Sequence, residues 1–457
     1  MTHCEIRDFG VNVARWISAA AAVAILLPGH ADAAVQGVTG SAFNLTARAG
    51  HISVADGGSI YSWGYTDGSM MQLPGPTLIV NQGEAVTVTL TNALPVAAGN
   101  VSIVFPGQDV TASGGVDGSL TSEAPNGGSV TYTFTATNPG TYQYHSGTQP
   151  DLQVEMGLYG ALIVRPNAAP TCPSGGTAAY NHLATCYDRE YLYVLSEIDY
   201  DTHVAAELQS GGPGPIELPV GAFASEYWLM NGRAGPDSLA PDSTPGEGVQ
   251  PTQPYGSLTR MHPGERVLIR LVGAGREAHP FHHHGNHSRV LANDGHLLLN
   301  ASANLAGPLL FTLPSTPGGT TDAIFEWTGK ELGWDIYGTT DSHGCDDDVN
   351  NVTGAAGPDG YADLTSDYPW EWCDDHGTAL PVTLPDLSSL TFGGYWGGSP
   401  YMGDLGSLPP GEGGLNPDAG FTFMWHSHTE RELINNDVFP GGMMTFLIVE
   451  APWVTID

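Results

Sequence analysis

Short segments that are apolar, or that alternate apolar with polar residues, recur along the chain: Thr77–Val80, Ala85–Thr91, Ser129–Ala136, Gly160–Val164, Tyr191–Ile198, Arg266–Val272, Ala323–Trp327 and Met444–Val449. A period of two places alternate side chains on opposite faces of a strand. Gly and Pro, at 61 and 34 residues, punctuate the segments. Helical periodicity is missing beyond the first 33 residues. Many short strands separated by turn residues predict an all-β protein of packed sandwiches. Residues 34–167 read as one unit, ending in the run Gly160–Val164. A Pro- and Cys-bearing connector spans 168–187, and residues 188–457 hold about one more sandwich of strands. A Gly-, Asp- and Pro-rich stretch at about 341–420 reads as a long insertion.

Residues 1–33 are expected to be a secretory signal peptide. Arg7 and Arg15 precede the apolar run Trp16–Leu27, and Ala31-Asp32-Ala33 makes a small-x-small cleavage pattern. The run is too short to span a membrane as a helix. The product is expected in the periplasm or outside the cell. Thirteen Lys and Arg stand against 48 Asp and Glu, a net charge of -35, and Lys330 is the only lysine. This balance argues against nucleic acid or an anionic membrane as partner, and it draws cations to the surface. With Cys4 in the leader, Cys172, Cys186, Cys345 and Cys373 form an even set suited to two local disulfides, Cys172 with Cys186 and Cys345 with Cys373.

The chemistry concentrates in histidines. Five of the 17 fall within residues 279–287, as His279-Pro-Phe-His282-His283-His284-Gly-Asn-His287. Another pair ends a strand-like run, Trp425-His426-Ser427-His428, and a third segment reads Tyr144-His145-Ser146-Gly147. On a strand His282 and His284 share a face, as do His426 and His428. Paired neutral imidazoles suit copper, zinc, iron or nickel. His283 points away, as a surface or supporting residue, and His279 can turn towards a different site.

These segments, with Pro74-Gly-Pro-Thr-Leu-Ile-Val-Asn-Gln-Gly83, Gly157-Leu-Tyr-Gly-Ala-Leu-Ile-Val164 and Gly441-Gly-Met443, occur in the order found in the multicopper oxidases, which the chain resembles. The resemblance implies cupredoxin-like Greek-key sandwiches and copper. It also implies a blue copper held by His, Cys, His and Met, joined through that Cys to a three-copper cluster held by four His-x-His pairs. There electrons from a small reductant convert dioxygen to water. Two-domain members form trimers, so a homo-oligomer is expected.

The chain departs from this pattern. Val104 and Pro106 stand where the first His pair belongs, and Gly147 replaces the partner of His145. His282, His284, His426 and His428 are intact, so five of the eight cluster positions keep histidine. At the blue site His279 and Met443 remain, but Ser427 replaces the Cys and Glu432 falls where the second His would be. The expected metal residues are therefore His145, His279, His282, His284, His426, His428 and Met443, holding one or two copper ions rather than four. His145 reads equally as ligand or as packed remnant, and Glu430 and Glu432 as a solvated acidic face. Two functions follow: an oxidoreductase with a His-only copper site and no standard blue copper, or a non-catalytic copper-binding or scaffold protein.

Overall fold

The computed structural model describes residues 35–456, apart from 174, 219, 220, 222, 337–344, 346–357, 367, 379–397, 401–419 and 452. The expected signal peptide and most of the expected insertion lie outside the described residues.

All eight segments read from the sequence contain or overlap strands. The first sandwich packs a five-stranded sheet against a four-stranded one. In the larger sheet the order is Ser59–Thr66, Ala42–Ser53, Ala85–Asn92, Ser129–Thr135, Thr111–Gly114. In the smaller it is Val38–Thr39, Leu78–Asn81, Tyr159–Arg165, Gly140–His145. Ala85–Asn92 is half-buried in strict alternation, the pattern that orients its Val and Leu side chains inwards. The second sandwich repeats the plan. One sheet contains Tyr227–Met230, Arg189–Ile198, Arg266–Gly273, Thr320–Glu326 and Ser288–Asn293. The other runs Thr259–Met261, Met444–Val449, Phe421–Ser427, His279–His283, Thr312–Ser315. Each sandwich mixes parallel and antiparallel pairs.

Each sandwich has its own core, around Trp63, Tyr132 and Tyr144 in the first and Trp228, Phe281 and Trp425 in the second. A further apolar cluster joins them, with Ile52, Ile60 and Leu73 meeting Val194, Ile198 and Leu229. Beside it lies a buried ionic network. Arg270 Nε donates to Glu190 Oε2 at 2.8 Å and its Nη1 donates to Thr141 Oγ1 at 2.9 Å. Arg165 Nη1 donates to the same Glu190 oxygen at 2.7 Å, and Asp322 accepts from Thr141 Oγ1 at 2.6 Å. Burial alone raises the Glu190 carboxyl, but Arg270 and Arg165 outweigh it and hold the group at about 2. Thr141 belongs to the strand that ends in His145, so this network fixes that strand against the second sandwich.

Disulfides join Cys172 to Cys186 and Cys345 to Cys373, with Cα separations of 5.7 and 5.8 Å. One element runs against the sequence reading: Tyr200–Gln209 is an α-helix. Asp199 caps it, accepting from the Thr202 amide at 3.1 Å. Its inward residues are Thr202, His203 and Ala206, not large apolar ones, so no hydrophobic stripe betrays it. The His203 ring lies between the carbonyls of Tyr61 and Glu155.

Candidate metal centre

The site is made by strand pairing. His279–His283 lies antiparallel to Phe421–Ser427 in a register that sets His282 opposite His426, Phe281 opposite Ser427 and His283 opposite Trp425. Residues directly opposite one another project to the same face. His282 and His426 therefore meet on one face, while Phe281, His283 and Trp425 enter the core. Beyond the ladder the His284 amide donates to Met424 O at 3.2 Å and the His428 amide to Pro280 O at 2.9 Å. These bonds add His284 and His428 to that face. The ring centroid of His282 lies 4.8 Å from His284, 5.4 Å from His426 and 4.7 Å from His428. Ligand nitrogens of His282, His284 and His426 all lie within 4.8 Å of one another.

The tautomers follow from the partners. His426 Nδ1 lies 2.6 Å from the Ser427 carbonyl, which can only accept, so Nδ1 carries the proton and Nε2 presents a lone pair. That Nε2 is 3.4 Å from His284 Nε2. Two imidazole nitrogens on one tetrahedral metal, each about 2.0–2.1 Å from it, are spaced by about 3.3–3.4 Å. His282 Nδ1 is held at 2.9 Å by the Thr312 hydroxyl. Ligand histidines typically tie their second nitrogen to an outer group in this way. Burial, and then the proximity of His284, His426 and His428, push His282 down to about 4. Burial likewise lowers His426. These rings are neutral near pH 7, the form that binds metal. The donor set thus fits a copper or zinc ion.

His145 shares the backbone habit of His426. Its Nδ1 lies 2.9 Å from the carbonyl of the next residue, Ser146, so its Nε2 also presents a lone pair. It sits in the first sandwich, and the cluster of ligand atoms above does not include it. His145 and Val104 bridge through paired backbone bonds of 2.8 and 3.2 Å. A Cβ at Gly147 would stand 2.7 Å from Val104 Cγ1. Val104 thus fills the space that a side chain at 147 would need.

Several sequence expectations are corrected here. His279 does not join the four-histidine face. Both of its ring nitrogens are engaged, Nε2 with Glu197 Oε2 and Nδ1 with Glu432 Oε2, each at 2.9 Å. Burial opposes its charge, but the two carboxylates prevail and raise it to about 9. Glu432 is not a solvated acid but 5% exposed, whereas Glu430 is exposed. His283 is fully buried, its Nε2 2.8 Å from Ser288 Oγ and its ring among Phe281, Phe325 and Trp425. Met443 is fully buried in the second core, and its carbonyl accepts from the Ser427 amide at 3.0 Å. Glu197 escaped the sequence reading. Its signal was a lone carboxylate inside the apolar run Tyr191–Ile198.

His279 gives the protein an alkaline dependence. Its folded value lies above the ordinary imidazole value of about 6.5, so the folded state holds the proton more tightly than the unfolded one. The stability this contributes is complete below pH ~6.5 and is lost as the pH rises through about 9. Urea unfolding between pH 7 and 10 should show a decline that His279→Gln removes. Parallel curves for the two proteins would sink the assignment.

The chain matches the family model described as "Multicopper oxidase" over residues 51–169. It is 36% identical over 169 residues to Laccase abr2 of Aspergillus fumigatus, covering 35% of this chain and 27% of that one. It is 27% identical over 261 residues to Putative laccase-11 of Oryza sativa, covering 55% and 41%. L-ascorbate oxidase of Cucurbita pepo matches at 36% over 133 residues, 28% of this chain and 21% of that one. The chain thus spans less than half the length of these relatives. Among solved structures, Multicopper Oxidase mgLAC superposes with a TM-score of 0.52 at 18% identity over 91% of this chain and 87% of that one. Blue Copper Oxidase from Nitrosomonas europaea does so with 0.51 at 18%, over 89% and 85%. These two likenesses speak for the fold, a pair of cupredoxin sandwiches. Among the described residues no helix is long and apolar enough to cross a membrane. The family model over residues 51–169, the laccase and ascorbate oxidase relatives and the fold agree in what the chain is similar to, and they support a divergent relative of the multicopper oxidases.

Proposed function

We propose that this is an exported copper protein whose face of His282, His284, His426 and His428 holds one or two copper ions and serves an oxidoreductase reaction between a small reductant and dioxygen. The observation that carries the reading is the convergence of four imidazoles on one face, with the His426 and His284 Nε2 atoms 3.4 Å apart. Bound copper supplies one-electron redox chemistry and an affinity for dioxygen. The protein's own part is to keep the ligand rings neutral and oriented. For His282 and His426 burial disfavours protonation. Thr312 and the Ser427 carbonyl fix the ring planes of His282 and His426. Two disulfides suit an oxidising compartment, as export requires. His145, with a lone pair on Nε2, would complete the ligand set from a second copy in a trimer of the kind expected from the family.

The second reading, a copper-binding protein without turnover, is favoured by one observation. Ser427 is fully buried, with its hydroxyl accepting from the Thr429 amide at 3.2 Å, and it provides no thiolate to carry electrons inwards. The deciding experiment is copper content per chain after loading, with optical and EPR spectra and oxygen uptake on the same sample. Copper retained without an intense blue band, with oxygen consumed in the presence of a reductant, supports the oxidase. Retained copper with no oxygen uptake selects the second reading, and no retained copper removes both. Light scattering of the same sample tests the trimer.

A further inference from the structure

A second group of titratable side chains is buried together beyond the four-histidine face. His279 is 1% exposed, Glu197 3% and Glu432 5%. Each ring nitrogen of His279 lies 2.9 Å from a carboxylate oxygen, Nε2 from Glu197 and Nδ1 from Glu432. An ionised carboxylate only accepts hydrogen bonds, so both nitrogens have to donate. A neutral imidazole carries one N–H and would set a nitrogen lone pair against the other carboxylate. Glu197 accepts further hydrogen bonds from the amides of Arg276 and, at 3.0 Å, Glu277. The arrangement therefore holds an imidazolium between two carboxylates. Without that proton two buried carboxylates would face each other across a neutral ring.

The three residues come from three places. Glu197 is on the strand Arg189–Ile198, His279 opens the strand His279–His283, and Glu432 is in the 3-10 turn Glu430–Leu433 that follows His428. His279 precedes the ligand His282 by three residues, and Glu432 follows His428 by four. The amide of Met443 donates to the Glu432 carbonyl at 2.8 Å and its carbonyl accepts from Ser427. The same turn is thus tied back to the residue between the two ligands His426 and His428.

We infer that Glu197, His279 and Glu432 form a salt-bridged brace in which an imidazolium, not a metal ion, supplies the positive charge, and that this brace positions the four-histidine face. These three are positioning residues. They act through the strand ends and the turn that carry His282 and His428. The positioning part of the inference rests on the metal reading of that face.

The test has two arms. In the first, metal-free protein carrying 15N-histidine is studied by NMR at pH 7, with His279→Gln to assign the signals. Two slowly exchanging ring N–H protons on His279 are expected. They should persist when zinc, a diamagnetic probe, shifts the signals of His282, His284, His426 and His428. A single N–H, or a His279 that moves to a metal-bound position on zinc addition, overturns the brace. In the second arm, copper affinity and the EPR hyperfine coupling are compared between the wild-type protein and Glu432→Ala, with circular dichroism as the check on folding. A 10–100-fold weaker affinity and an altered copper signal are expected, the usual scale for loss of an outer support. If Glu432→Ala does not fold, His279→Gln takes its place. An unchanged affinity and signal overturn the positioning role. If the wild-type protein binds no copper, the functional reading and the positioning role fall together, while the first arm still decides the imidazolium.

Discussion

Replacing His282 and His426 together by alanine should abolish tight copper binding while leaving the fold intact. The two rings face each other across one register position. Each has its Nδ1 already engaged, His282 by Thr312 and His426 by the Ser427 carbonyl, so each turns Nε2 to the shared space. The variant leaves His284 and His428, which enter the face from opposite ends of the strand pair. Two such ligands, one partly buried and one exposed to water, make a weak site. Loss of an outer support typically lowers affinity 10–100-fold. Loss of two direct ligands should exceed that, and Thr312→Val should fall within it. The apo fold should tolerate the change, since the facing core residues are Phe281, His283 and Trp425. Equilibrium dialysis against a competing chelator measures the affinity. A double variant that keeps its copper would place the metal elsewhere in the chain.

Arg270→Met should destabilise the protein by about 3–5 kcal/mol, a large share of the ~5–15 kcal/mol that holds a typical domain folded. Arg270 is fully buried, 2.8 Å from Glu190 Oε2 and 3.7 Å from Asp322 Oδ2. The substitution keeps most of the side-chain volume but removes a positive charge shared by two buried carboxylates. Glu190 retains Arg165, while Asp322 keeps hydrogen bonds from the neutral hydroxyls of Tyr180 and Thr141. Neutral donors cannot replace a full positive charge in a low-dielectric interior. The acid side of the stability profile should change as well. Glu190 sits at about 2, below its ordinary value, so the stability it provides is lost only as the pH falls through that range. With Arg270 gone the loss should begin at higher pH. Urea unfolding at pH 7 and pH 4 tests both parts, and a cost under ~1 kcal/mol would mean that the network is not a stabilising core of the molecule.

The strands, the two sandwiches, the disulfide pairs and the faces of the His-x-His pairs were legible in the sequence. Each is a local property. Alternation with period two states which side chains share a face before any partner is known. Thus His282 with His284, and His426 with His428, were paired from spacing alone, and Cys172 and Cys186 lie 14 residues apart. The helix Tyr200–Gln209 was not legible, because what it buries is Thr, His and Ala.

What faces what was decided only in three dimensions. His282 and His426 are 144 positions apart, and nothing local says that the register sets them opposite rather than one step away. A shift of the strand His279–His283 by one residue would send His282 into the core and bring His283 out. His279 is separated from Glu197 by 82 residues and from Glu432 by 153. Sequence pattern left it a candidate metal ligand, and its tertiary neighbours made it a protonated partner of two acids. The reason is electrostatic: an imidazole's charge is set by what lies within a few ångströms of its two nitrogens, and here only the packing of three distant segments determines that.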